Sequence, residues 1–212
     1  HAGSKSDILT AIDHALAAGV RIGAHPSYPD REHWGRRSLV MTDEALRSSL
    51  MLQLQWLASQ GDAAGGRLQH VKPHGALYND AARNPALAML IAASVKEFDP
   101  TLILCGLAGS ALINAGQMCG LSVLSEGFVD RRYQADRSLV PRTQPDAEIL
   151  DVQQATDQAL AIIAGNPLLL ASGNTITISA DTLCIHGDSA RAVLFARGLR
   201  LALKQAGIQV AA

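Results

Sequence analysis

Two histidines bracket a lysine and a proline in the run HVKPHGALYND, residues 70–80, so that His70, Lys72 and His74 stand two apart. On an extended chain residues two apart share a face, which points the three nitrogen bases one way and Val71 the other. A lysine held on such a face is partly desolvated. It serves there as a switchable base or as a fixed cation for an anionic or carbonyl group. Histidines beside it suit proton transfer near neutral pH. Pro73 is expected to end regular strand pairing. The bland alternative is a lysine paired with a carboxylate and two hydrogen-bonded core histidines, which would be the better reading of any one of these residues alone.

Several other apolar runs end the same way. His25 closes VRIGAH, Glu126 closes LSVLSE and His186 closes TLCIH, with Asp188 two residues further on at a helix start, where it could orient His186. Such repetition weighs toward function, because perturbed ionisable groups gather at sites. In a parallel barrel these strand ends lie on one rim, where the loops after the strands build the active site.

The elements that must position these groups follow from periodicity. Residues 6–19 carry Ile8, Ile12, Ala15 and Leu16 on one helical face. Thr42 followed by Asp43 and Glu44 reads as a capped helix start, continued by Leu46, Leu50, Leu54 and Leu57. Asn84 with Pro85 opens a helix to about Phe98, and Gly165 ends one begun near Leu150. Short apolar strands alternate with these helices: VRIGAH, RLQHVKP, TLILCG, LSVLSEGF, NTITIS and TLCIHG. The terminal GIQVAA reads as a further short extended piece. That alternation predicts a parallel sheet covered on both faces, an α/β fold. No G-x-G-x-x-G run follows any strand, which removes the main support for a dinucleotide-binding open sheet and favours a (β/α) barrel. The opening HAG resembles another strand end without its strand. A further strand, within roughly 30 to 40 residues ahead of His1, is therefore expected, since a barrel lacking a strand has an open edge.

Composition bounds the class. The 212 residues are 48% hydrophobic and 17% charged, with a formal net charge of −1. One domain spanning 1–212 is expected, with no electrostatic footprint for nucleic acid or an anionic membrane. Cys105, Cys119 and Cys184 lack metal-ligand spacing and read as reduced core thiols of a cytoplasmic protein. No apolar run approaches the length needed to span a bilayer.

The blocks GAHPSYPDREHWGR, HVKPHGALYND, FVDRRYQADRSLVPR and CIHGD, in this order, resemble the family of 5-oxoprolinase A subunits, also called LamB/YcsF, and the resemblance runs from His1 to the last helix. It implies a deformed, incomplete (β/α) barrel like that of polysaccharide deacetylases, with the first strand missing from this chain. It also implies ATP-dependent opening of 5-oxo-L-proline to L-glutamate, shared with partner subunits B and C. ATP is then a co-substrate of the subunit complex, and the A subunit would hydrolyse the activated lactam.

Such a step needs cations for anionic groups, a base for water and an acid for the departing nitrogen. Lys72, His74, His25, His186 and Asp188 are the expected catalytic set. His1, Tyr78, Asp130, Arg131, Tyr133, Asp136 and Arg142 are the expected substrate-binding set. Five of the latter, Asp130 to Arg142, fall in the long polar segment 128–148, which can be a lid or a solvated connection. A divalent metal on rim histidines is considered and not favoured, because no close pair such as H-x-x-x-H occurs. Two other readings stand beside the hydrolase: a metal-dependent sugar deacetylase and a noncatalytic scaffold for B and C. The chain departs from the family pattern at Ser4, where aspartate is usual, and at Arg132 and Arg137, where glycine is usual.

Overall fold

The computed structural model describes residues 3–210. The chain divides into two compact units, one ending at Leu124 and one beginning at Ser125.

The first unit opens with helix α1 (Lys5–Ala17), started by a capping box in which Ser4 and Asp7 satisfy each other's backbone N–H groups. Ser4 thus does a cap's work where the family resemblance leads one to expect aspartate, another good capping residue. Strand β1 (Ile22–Ala24) and helix α2 (Asp43–Ala63) follow. Thr42 caps α2 as expected, accepting from Ala45 N, and Leu46, Leu50 and Leu54 bury its inner stripe. Leu54 is 1% exposed, and burying a leucine so fully is worth about 1.5–3 kcal/mol. Strand β2 (Leu68–Val71) leads into α3 (Gly75–Arg83) and α4 (Pro85–Phe98), the latter capped by the Asn84 side chain. Strand β3 (Ile103–Leu107), helix α5 (Ala111–Met118) and the first residues of β4 (Val123–Phe128) complete the unit. Val71, Leu77, Ile91 and Leu104, each 0% exposed, sit in one core with α1 and α2.

The second unit holds the rest of β4, then helix α6 (Val152–Ala164), the hairpin β5 (Leu168–Leu169) with β6 (Thr175–Ile176), strand β7 (Thr182–Cys184) and helix α7 (Ala192–Gln205). Asp151 caps α6, and Gly165 at φ 67° ends it in the left-handed conformation anticipated from sequence. Ala155 and Ala159 of α6 pack with Phe195, Leu199 and Leu203 of α7.

Hydrogen-bonded strand order is β1-β2-β3-β4-β7, and the registered pairs are parallel. The order follows the chain without reversing, as in a barrel wall and unlike a doubly wound sheet. One sequence expectation needs correction, and two features go beyond what the sequence announced. The segment after Pro73 forms a helix, α3, which has no side-chain cap on His74 to announce it. The piece after Gly207 forms no strand up to Val210. Registered pairing stops at Val71, ahead of Pro73 as expected, while single backbone bonds toward β1 run past it: Lys72 N donates to Ala24 O at 2.9 Å and His74 N to Pro26 O at 2.8 Å. Successive N–H groups along a strand alternate sides, so the donor that Pro73 lacks falls on the side away from β1.

Candidate functional site

The chemistry-bearing residues form two clusters, one in each unit. In the first, the continued pairing of β1 with β2 sets His25 beside Lys72. His25 Nδ1 donates to Lys72 O at 2.6 Å. His25 Nε2 and His74 Nδ1 lie 3.0 Å apart, and His74 Nε2 donates to Trp34 O at 2.9 Å. The rings meet edge to face at 79°. Burial pushes the His25 ring well below the ordinary imidazole value, to about 3, although part of its surface still meets solvent. The hydrogen bond to Lys72 O opposes that shift, and the charges of Lys72 and His74 add to it.

The carbonyl that receives His74 is held by an unusual backbone. Trp34 has φ 59°, a left-handed conformation costly for a bulky side chain, and Gly35 follows at φ 65°. A Cβ on Gly35 would fall 2.7 Å from Ser27 Cβ, and one on Gly75 would fall 2.5 Å from Gly35 O. The 34–35 turn is therefore pressed against the start of α3, where Ala76 N donates to Gly35 O at 3.0 Å. Asp30, 7% exposed, anchors the same loop: its Oδ1 accepts from His33 Nδ1, and Arg37 Nε lies 3.3 Å from Oδ2 as an ion pair rather than an aligned hydrogen bond. The Lys72 ammonium stands 5.8 Å over the ring of buried Tyr78, a cation–π arrangement. His70 lies across the neighbouring strand, its Nε2 only 2.0 Å from where a Cβ on Gly23 would be. His25 also borders a 460 Å³ cavity between α1, α2 and β1, with Ile12, Trp56 and Leu57 as apolar wall and Lys5 and Arg31 as cations.

The second cluster is centred on His186. Both oxygens of Asp130 face its Nδ1, at 2.9 and 3.1 Å, and its backbone N donates to Asp130 Oδ2 at 3.0 Å. Phe128 stacks on the imidazole at 5.6 Å between ring centroids. Burial alone would raise the Asp130 carboxyl; the hydrogen bonds and charge of His186 outweigh it, and the net shift is downward. With Nδ1 committed to a carboxylate, Nε2 is the nitrogen left for proton abstraction, the arrangement that makes a histidine a general base. Sequence reasoning gave the orienting role to Asp188, two residues away. The carboxylate on Nδ1 is Asp130 instead, and the strand register brings it there: Phe128 pairs with Cys184, so two residues on Asp130 meets His186.

The remaining expected substrate-binding residues divide by role. Arg131, 5% exposed, donates to Ala147 O and Val140 O and clamps the 130–148 segment. Tyr133 is buried and its hydroxyl accepts from Phe128 N at 2.7 Å. Asp136 Oδ1 accepts from Ser138 N and Oγ within a turn. Arg142 is ion-paired with Glu148. All four thus hold the segment together, and a carbonyl ladder at its base is completed by Gln158, which donates to Phe128 O and Arg131 O. His1 lies outside the described residues. Among the described residues no three His, Cys, Asp or Glu side chains are grouped to hold a metal ion, and no helix is long and apolar enough to cross a membrane.

The model of the LamB/YcsF family matches residues 1–212. The A subunit of a 5-oxoprolinase from Bordetella pertussis is 47% identical over 212 residues, all of this chain and 84% of that protein. Its counterpart from Methylococcus capsulatus is 46% identical, over all of this chain and 82% of its own length. The crystal structure of a lactam utilization protein from Thermus thermophilus superposes with a TM-score of 0.91 at 39% identity, covering 99% of this chain and 84% of that one. A putative cellobiose-phosphate cleavage protein from Enterococcus faecalis, at a TM-score of 0.53 and 13% identity over 96% of this chain and 81% of that one, shares the fold alone. With a family model matched from end to end and relatives nearly half identical along its whole length, the chain belongs to the LamB/YcsF family.

Proposed function

We propose that this chain acts as the A subunit of a 5-oxoprolinase, hydrolysing activated 5-oxo-L-proline to L-glutamate in an ATP-dependent reaction with subunits B and C. The observation that carries this reading is the full-length 47% identity to proteins named as the A subunit of 5-oxoprolinase. The geometry supports a hydrolytic role. A five-membered lactam is a stable amide, and phosphorylation of its oxygen, assigned to the partner subunits at the cost of ATP, makes the ring carbon open to water. His186, oriented by Asp130, is the base that takes the proton from that water. Lys72, set over the Tyr78 ring, is the cation for the phosphate or the substrate carboxylate.

The test is reconstitution. This chain, with B and C subunits, ATP and 5-oxoproline, is expected to release glutamate, and the chain alone with ATP is expected to release none. Glutamate formation by B and C that is indifferent to this chain would refute the reading. Normal turnover with His186→Asn would reduce the chain to a scaffold.

A further inference from the structure

Three hydrogen-bonded links join Lys72 O, His25, His74 and Trp34 O in a line. A carbonyl oxygen only accepts, so the two outer links fix a proton on His25 Nδ1 and another on His74 Nε2. Two neutral imidazoles carry two N–H protons in all, and both are then used. The inner contact, 3.0 Å between His25 Nε2 and His74 Nδ1, would set lone pair against lone pair. A third proton turns that repulsion into a charge-assisted hydrogen bond. From this count we infer that the His25–His74 pair stores one excess proton as a single imidazolium–imidazole unit, and that this proton is the one delivered to the lactam nitrogen when the ring opens. The delivery rests on the hydrolase reading above; the storage does not.

His74 is the ring that carries the charge. Its two N–H groups then donate to His25 Nε2 and Trp34 O, while His25 stays neutral, in keeping with its depressed basicity. The groups around the pair set how firmly the proton is held. Lys72 on the extension of β2 is a cation that weakens its hold, and Lys5 and Arg31 are the cations on the cavity that His25 borders. His70 is the further imidazole on β2 and Asp30 the carboxylate of the loop that supplies Trp34 O. A unit that geometry obliges to take a proton and whose neighbours make that proton acidic is suited to giving it up once per turnover.

The chemistry gives this proton a decisive task. Water adds to the activated ring carbon: a C–O bond forms, the proton of water goes to a base, and the C=N pair moves onto nitrogen. The resulting tetrahedral carbon carries hydroxyl, phosphate ester and ring nitrogen. If phosphate leaves, 5-oxoproline is regenerated and the activation is lost. If the C–N bond breaks instead, the nitrogen, having regained from the base the proton that water lost, takes the stored proton with the departing electron pair and leaves as a neutral amine. The hydroxyl oxygen closes the carbonyl of an acyl phosphate, its proton recharges the His25–His74 pair, and water converts the acyl phosphate to carboxylate and phosphate. A neutral amine leaves far better than its anion, so the proton donor selects ring opening.

The pair can be observed directly. Nitrogen-15 NMR of the histidine side chains in the whole chain at about pH 7.5 is expected to show His74 protonated on both nitrogens and His25 neutral with its proton on Nδ1. Two neutral rings would overturn the storage, and this reading needs no variant to fold. In the reconstituted mixture with B and C subunits, His25→Gln is expected to lower glutamate formed per phosphate released by ~10-fold while phosphate release continues. Glutamate and phosphate falling in constant ratio would overturn the delivery. Absence of glutamate from the unaltered chain in that mixture would instead refute the hydrolase reading, leaving the NMR result to decide the storage by itself.

Discussion

Replacing Asp130 with asparagine keeps the shape of the side chain and removes its charge. In the native structure the carboxylate accepts from His186 N and faces Nδ1 with both oxygens. An amide oxygen can still accept from one of these donors, but its NH₂ group cannot accept from another. It also no longer stabilises the imidazolium that forms when Nε2 takes a proton. A hydrogen bond to a charged group is worth about 1.5–3 kcal/mol net, and a loss near the upper end, about 2.7 kcal/mol, corresponds to ~100-fold in rate. Asp130→Asn is therefore expected to lower glutamate release in the reconstituted mixture by roughly 100-fold, mostly in kcat. Its Tm should fall as well, by about 2–8 °C for a stability loss of about 1–2 kcal/mol in a chain of this size. The pH dependence has a definite sign. The folded carboxyl titrates below its unfolded value, so its contribution is fully present above about pH 3.9 and is lost as pH falls through the lower folded value. The Tm gap between the native chain and Asp130→Asn should accordingly shrink as pH falls below about 3.9. Undiminished turnover per folded molecule, measured alongside the Tm, would refute the assignment of Asp130 as the positioning carboxylate of the base.

Tyr133→Phe removes the buried hydroxyl that receives Phe128 N at 2.7 Å; thermal unfolding should report a loss of about 0.5–1.5 kcal/mol. Arg137→Gly relieves a non-glycine residue at φ 67°, and calorimetry should register a gain of up to about 1 kcal/mol, with a lowered Tm counting against that backbone reading. Lys72→Met keeps the aliphatic stem and deletes the cation over Tyr78; glutamate release should drop at least ~10-fold with the fold intact. A lower Tm with normal turnover per folded molecule would make Lys72 structural.

The helix caps at Thr42 and Asn84 and the stop at Gly165 were legible because each is a local event in which one side chain or one glycine satisfies the nearest backbone groups. The parallel α/β architecture was legible for a similar reason, since short apolar strands alternate visibly with amphipathic helices. Helix α3 was hidden: it begins at a glycine with φ 57° directly after a strand, and His74, its cap residue, spends its ring on His25 and Trp34 instead of on the helix. Long-range partners were the other blind spot. Sequence proximity favoured Asp188 for His186, whereas pairing β4 with β7 residue by residue would have pointed to Asp130. Nothing local announces that Trp34 supplies a carbonyl to His74, because that contact depends on a left-handed backbone at a tryptophan. The polar residues of 128–148 were conspicuous for their charge, yet Arg131 and Arg142 use that charge on the segment's own carbonyls and on Glu148.

Pro73 gives the end of β2 two unlike sides. Toward β1 the ladder runs on through Lys72 and His74, and their amides should be among the slowly exchanging ones of this region. Toward β3 the registered pairs are His70 with Ile103 and Val71 with Leu104, and beyond them Pro73 offers no donor that would require a partner. The two strands can part there without stranding an N–H group of Pro73 itself. A residue that forfeits a single hydrogen bond thereby lets one interval of the sheet stay zipped while the next one opens.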